Sequence, residues 1–235
     1  MTTPIYLIIE NDIKAAINNG SFKSGDLIPS ENELKEKYNV SRMTVRQALN
    51  NLVNEGLLFR HQGKGTFVSN AKIEKSIQGI RSFTEEMEAT NRKVSSKVIT
   101  FKEIKANQII AEKLFLKKGD LIYYIERIRY GNNVPVLFEI LHIPKNIFPN
   151  ITKKDLEGSF YKYLEKELKL KVSHCKQSIE AKKPSKELAN ILNINVTEPI
   201  LYIERDTYLS NGRPFEIVRS FYRSDQYKFV QMAVK

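Results

Sequence analysis

Arg42, Thr44 and Arg46 cluster at the start of a segment whose apolar residues repeat with helical spacing. Lys64 stands between Gly63 and Gly65 in a short turn, with Arg60 and His61 just before it. Forked guanidiniums, an ammonium and hydroxyls are the groups that grip phosphates and read base edges. A second set lies further on. Arg127 and Arg129 sit two apart in a run of strand-forming residues, so they share a face, as do Glu139 and Leu141. Paired guanidiniums suit a phosphate or a carboxylate, or each can pair with a neighbouring Glu; spacing leaves both open. Ser159 begins "GSFYKYLEKEL", where a helix-start hydroxyl acts as a plain cap or faces an anion. Glu139 and Glu216 are the carboxylates an acid–base pair would use, but no nucleophile–base constellation, metal cluster or P-loop accompanies them. The reading is a non-enzyme that needs no cofactor and no metal.

These groups need elements to hold them. Apolar residues at Ile5, Leu7, Ile8, Ile9, Ile13, Ala16 and Ile17 predict a helix over 5–19 that Gly20 stops. Pro29 breaks the chain, and Ser30 with Glu33 forms a capping box for a helix from Glu31 to about Asn39. Ser41 caps a third helix, with Val45, Ala48, Leu49, Leu52 and Val53 as its buried stripe and Gly56 as its stop. Two short helices joined by a tight turn spell helix-turn-helix. "LLFRHQGKGTFV" then reads as a hairpin, the wing.

The run "PSENELKEKYNVSRMTVRQALNNLVNEGLLFRHQGKGTFV" resembles the winged helix-turn-helix of GntR-family bacterial regulators. The resemblance implies that Ser41, Arg42, Thr44 and Arg46 meet the major groove of double-stranded operator DNA. It implies that Gly63, Lys64 and Gly65 enter the minor groove, with Arg60 at the wing and Ser30 and Glu31 beside the backbone.

Composition fits a regulator that binds DNA by local placement. The 235 residues carry a net charge of +11, a pI near 9.5, 41% hydrophobic and 28% charged residues. Residues 1–70 hold eight basic and seven acidic side chains, yet Lys37–Lys64 holds five against one. Positive charge is thus concentrated where a groove would be gripped. Cys175 is the single cysteine, and His61, His142 and His174 lack ligand spacing, which excludes an internal disulfide and a cysteine-rich metal site. The N-terminus has no signal-peptide pattern and no run suits a membrane span, so a soluble cytoplasmic protein is expected.

The chain divides, on this reading, into residues 1–69, a polar linker at 70–80, and a second domain over 81–235. That domain repeats itself. "AEKLFLKKGDLIYYIERIRYGNNVPVLFE" (111–139) echoes "ANILNINVTEPILYIERDTYLSNGRPFE" (189–216) at an offset of 78, pairing Tyr124 with Tyr202, Glu126 with Glu204 and Arg127 with Arg205. Each copy predicts helix, strand, turn, strand, and two copies can form one antiparallel sheet flanked by helices. The predicted class is α+β.

"IQGIRSFTEEM", "ERIRYGNNVPVLFEILHIP", "GSFYKYLEKEL" and "NGRPFEIVRSFYRSDQYKF" make residues 77–232 resemble the UTRA effector domain of the HutC branch, a chorismate lyase-like fold. The nearest pattern is that of repressors of N-acetylglucosamine use, answering to glucosamine-6-phosphate or N-acetylglucosamine-6-phosphate. By that likeness Ser82, Phe83, Thr84, Arg127, Arg129, Ser159 and Tyr161 surround a phosphate, and Glu139, Glu216 and Tyr222 face the sugar. "ATNRKV" (89–94) departs from the pattern by lacking a glycine after its helix. The expectation is a homodimeric repressor with winged helices on paired half-sites and a small anionic effector. The alternatives are a different metabolite and a lyase-like enzyme.

Overall fold

The computed structural model describes residues 3–23, 25–69, 72–90 and 92–233. Two compact units emerge, residues 1–71 and nearly all of 72–235.

In the first unit α1 (Ile5–Asn18), α2 (Glu31–Tyr38) and α3 (Arg42–Asn54) precede the hairpin of β1 (Leu58–His61) and β2 (Gly65–Val68). Local chemistry sets the boundaries. Ser30 Oγ accepts from the Glu33 N–H while Glu33 reaches back to the Ser30 N–H, closing the expected capping box. Asn39 ends α2 in the left-handed region at φ 50°. Ser41 Oγ accepts from the Thr44 N–H and caps α3. Val45, Ala48, Leu49 and Leu52 close on Ile9, Ile13, Ile28, Leu34, Leu58 and Val68 as one core, and Val53 packs half-buried at its margin. Gly65 is favoured by its backbone, at φ +121°, while an added Cβ would only push aside the tip of the exposed Leu27 side chain, 2.6 Å away.

The second unit has α4 (Phe83–Glu88), α5 (Gln108–Lys113), α6 (Lys153–Glu157), α7 (Phe160–Lys166) and α8 (Lys186–Leu192). Its strands are β3 (Ile73–Ser76), β4 (Val94–Lys105), β5 (Leu121–Gly131), β6 (Val134–Pro144), β7 (Val172–Lys182), β8 (Ile200–Leu209), β9 (Pro214–Arg223) and β10 (Tyr227–Val230). Six strands form an antiparallel sheet ordered β4-β5-β6-β9-β8-β7. This is the internal repeat made visible: β4-α5-β5-β6 and β7-α8-β8-β9 are two copies joined back to back at β6 and β9. Even the strand irregularities repeat, at Arg129/Tyr130 and Thr207/Tyr208.

Helices α5 and α8 pack on one sheet face, through Ile110, Leu114, Ile122 and Ile217 for the first and Ile128, Phe138, Leu192 and Ile200 for the second. The other face carries two apolar clusters. One joins Ile125, Leu141 and Val218 to Leu156, Phe160 and Leu164. The other joins Leu137, Ile203 and Tyr222 to Ile73, Phe83, Met87 and Tyr227.

The structure corrects the expected linker. Residues 73–76 form a strand paired in parallel with β10, and Ile73 and Tyr227 are each 1% exposed. Lys75 is buried in an ion pair with Glu86 of α4. Four residues are too short to show a period against polar neighbours, and their pairing partner lies about 150 residues away in sequence, estimated from the register. The expectation about the loop at 89–94 falls partly on Asn91, outside the described residues.

Candidate functional site

The outer side of α3 presents Met43, Thr44, Arg46, Gln47, Asn50 and Asn54, a polar strip opposite the buried stripe. Glu31, at the first position of α2, gathers two of the expected arginines: Arg42 Nε lies 3.0 Å from its carboxylate and Arg60 Nη2 3.4 Å. Ser41 and Thr44 hydroxyls lie 2.9 Å apart. Arg46 and Lys64 make no ion pair among the described residues. Gly63, at φ +74°, turns the wing tip, with Arg60 opposite Thr66 and His61 opposite Gly65. A capped helix of 13 residues and a basic hairpin tip offer helix-start N–H groups, a positive dipole end and exposed cations to one polyanion.

In the second unit the residues expected at the effector assemble on the sheet face between the two apolar clusters. Eight of the ten line one small cavity: Ser82, Phe83, Arg127, Arg129, Glu139, Ser159, Tyr161 and Glu216. Arg127 Nε donates to Glu139 at 2.6 Å and its Nη1 to the Leu156 carbonyl at 3.0 Å. For Arg127, then, the pairing alternative is realised. Arg129 has no carboxylate partner among the described residues. It donates to the Gly158 carbonyl at 3.2 Å and to Thr84 Oγ1 at 3.4 Å, and it lies 4.6 Å over the Phe83 ring. Its Nε is buried without an acceptor. Ser82 and Ser159 both cap, the first in a capping box with Glu85. Helix α7 has only seven residues, so the helix-start contribution expected at Ser159 reduces to the cap itself.

Electrostatics follow from burial. Burial drives the Glu139 carboxyl up, but Arg127 and Arg129 beside it outweigh that and hold it below the usual carboxylate range. Burial pushes Glu216 up against the pull of Arg205. Glu216 accepts from Tyr161 and Thr207, each at 3.0 Å. Burial and the like charge of Arg127 pull the Arg129 guanidinium down from its ordinary value. Cations outnumber anions here, and an anion would relieve that.

Thr84 and Tyr222 are the two expected residues that do not line the cavity. Tyr222 packs edge-on to Tyr227, 4.7 Å between centroids, in the neighbouring apolar cluster, and still feels the charges of Arg205 and Glu139. Arg205, absent from the sequence expectations for the site, lines the cavity and lies 5.9 Å over the Tyr161 ring. The repeat contained the signal, since Arg205 is the partner of Arg127 at the 78-residue offset.

Residues 89–228 match the UTRA domain, and residues 5–68 match the bacterial regulatory proteins of the gntR family. The chain is 40% identical to the HTH-type transcriptional repressor NagR of Bacillus subtilis, over 97% of this chain and 93% of that protein. It is 34% identical to the mannosyl-D-glycerate transport/metabolism system repressor MngR of Escherichia coli, over 98% and 96%. The crystal structure of PhnF from Mycobacterium smegmatis superposes with a TM-score of 0.68 at 25% identity, covering 96% of this chain and 98% of that one. With a capped recognition helix and basic wing ahead of a sheet that encloses buried arginines, the chain belongs to the GntR family of bacterial regulatory proteins, in its UTRA-bearing HutC branch, and is a DNA-binding transcriptional repressor.

Proposed function

We propose that the repressor reads its operator with α3 and the wing, as a homodimer on paired half-sites in the cytoplasm, and that an amino-sugar phosphate held in the arginine cavity weakens that grip. One observation carries the effector reading. Three guanidiniums, Arg127, Arg129 and Arg205, line the same cavity as two carboxylates, and one carboxylate is already bound to Arg127. An anionic effector fits that imbalance, and Glu139 and Glu216 offer acceptors to sugar hydroxyls. Glucosamine-6-phosphate and N-acetylglucosamine-6-phosphate are the leading candidates, by the resemblance to repressors of amino-sugar use. The effector needs only a differential affinity of about 1–3 kcal/mol between DNA-competent and incompetent states.

A second reading rests on the relative named for mannosyl-D-glycerate, whose ligand class carries a carboxylate; the same arginines suit either anion. The test is a gel shift with DNA from the chain's own promoter region and a panel of both amino-sugar phosphates, other sugar phosphates and mannosylglycerate. Release by an amino-sugar phosphate alone is expected. Release by mannosylglycerate alone selects the second reading, and release by none rejects an anionic sugar effector.

A further inference from the structure

The six-stranded sheet ends on two strands that are partners in the repeat, β4 and β7, and the fold treats them differently. An edge strand offers a row of open N–H and C=O groups to any other strand, and chains blunt such edges with bulges, charges or a covering element. Edge β4 is blunted twice: its register breaks in mid-strand between Val98 and Thr100, and α6 packs against it. Edge β7 pairs with β8 without a break from His174 to Lys182, its irregularity confined to its first residues. Ser178, Ile179, Glu180, Ala181 and Lys182 are all exposed. One edge of the repeat is closed, and its counterpart is straight and open.

Charge placement says what the open edge accepts. Gln177 and Ile179 stand opposite Arg205 and Ile203, on the sheet face that carries the arginine cavity, and Gln177 is anchored there to the Ile77 carbonyl at 3.2 Å. Lys176, Ser178 and Glu180 therefore alternate onto the other face. A second copy meeting this edge runs antiparallel about a two-fold axis. The two sheets keep their faces matched only if the axis passes through a residue, since a half-step sets each side chain against one from the other face. Centring on Ser178 puts Lys176 opposite the partner's Glu180, twice over. Centring on Ile179 puts Lys176 against the partner's Lys182, and centring on Gln177 puts it against the partner's Ser178. Of these central registers only the first sets a lysine opposite a glutamate, and it leaves a small side chain on the axis. Glu180 holds Lys182 at 3.2 Å within its own strand, so the partner's lysine would join an existing exposed pair.

We propose that β7 is the homodimer interface of the second unit: two copies pair edge to edge, antiparallel and centred on Ser178, with Lys176 and Glu180 as reciprocal ion pairs. This deepens the homodimer reading above and rests on it. The two six-stranded sheets then become one continuous sheet, with both arginine cavities on the same face.

Sedimentation equilibrium of the full-length protein over a concentration series gives the dimer dissociation constant. Lys176→Glu and Glu180→Lys each set like charges opposite one another twice, and each should weaken the dimer by about tenfold or more. Mixing the two variants restores opposite charges at both contacts, as does combining the substitutions in one chain, so both should recover wild-type affinity. In a Cys175→Ser chain, Ser178→Cys should cross-link two copies under mild oxidation, because its mirror image lies directly opposite. Glu180→Cys, four residues or about 13 Å along the strand from its own mirror image, should not. A wild-type dimer whose affinity is unchanged by both single variants, or that Ser178→Cys fails to cross-link, overturns this interface and leaves the homodimer reading standing. A wild type that stays monomeric throughout the series overturns both.

Discussion

Arg46 and Lys64 stand apart from the Glu31 cluster that holds Arg42 and Arg60, and the proposed operator reading gives them different roles. Arg46 lies on the outer polar strip of α3; with that strip as the proposed base-reading face, Arg46→Ala should cost about 1–3 kcal/mol of operator affinity and relax preference at one base pair. Lys64 at the wing tip is an exposed point charge, so Lys64→Ala should lower the slope of log affinity against log salt by about 1 with specificity nearly intact. Fluorescence anisotropy across a salt series, on operator and scrambled DNA, separates the two. In the second unit, Arg127 and Glu139 are 6% and 5% exposed and pair at 2.6 Å. Removing one partner strands a buried charge, so Arg127→Met should destabilise by about 3–5 kcal/mol, while Arg127→Met with Glu139→Leu should recover much of it. Urea unfolding of the double-mutant cycle decides this; equal losses in single and double variants would remove the pair from the account of stability.

Helix ends and sheet faces carry their own consequences. After α5, Phe115 adopts φ +53° and is 71% exposed, while the matching position after α8 is Asn193 at φ +51°. A bulky residue gains nothing from that conformation and Asn tolerates it. Phe115→Asn should therefore raise stability by about 1 kcal/mol, seen as a higher midpoint in thermal unfolding. On the sheet face under α5 and α8, burial and then Arg219 lower the His142 imidazole from 6.5 to about 4, and its ring meets Tyr124 edge-on. Below pH 6.5 the unfolded chain takes up a proton that the folded chain refuses until about pH 4. Stability from His142 is thus present above pH 6.5 and lost as pH falls toward 4, by up to about 3 kcal/mol. His142→Leu should flatten the pH–stability curve between about 6.5 and 4.5, above the range where Glu204, held near 2 chiefly by Lys113, begins to lose its own contribution.

At the scale of the whole molecule, the two units have separate cores. A fragment spanning 72–235 should fold alone and keep its effector affinity. A fragment spanning 81–235 lacks β3 and the Lys75–Glu86 pair; the lost burial of Ile73 alone should cost about 2–5 kcal/mol. Calorimetric melting of both fragments checks this, and equal melting temperatures would restore the linker reading of 70–80.

Caps, stripes and the hairpin of the first unit were legible because each is written within a few residues: Ser30 with Glu33, Ser41 before Val45, glycines around Lys64. The repeat was legible too, and with it the helix-strand-turn-strand order of both halves. The sequence by itself determined local elements and the residue types available to grip anions. Only the tertiary structure decided that β3 pairs with β10, that Tyr222 packs into the apolar cluster, and that Arg127 has a carboxylate opposite while Arg205 has Val218. Those outcomes depend on strand register and on partners far apart in the chain, where a shift of one residue changes which side chain shares a face.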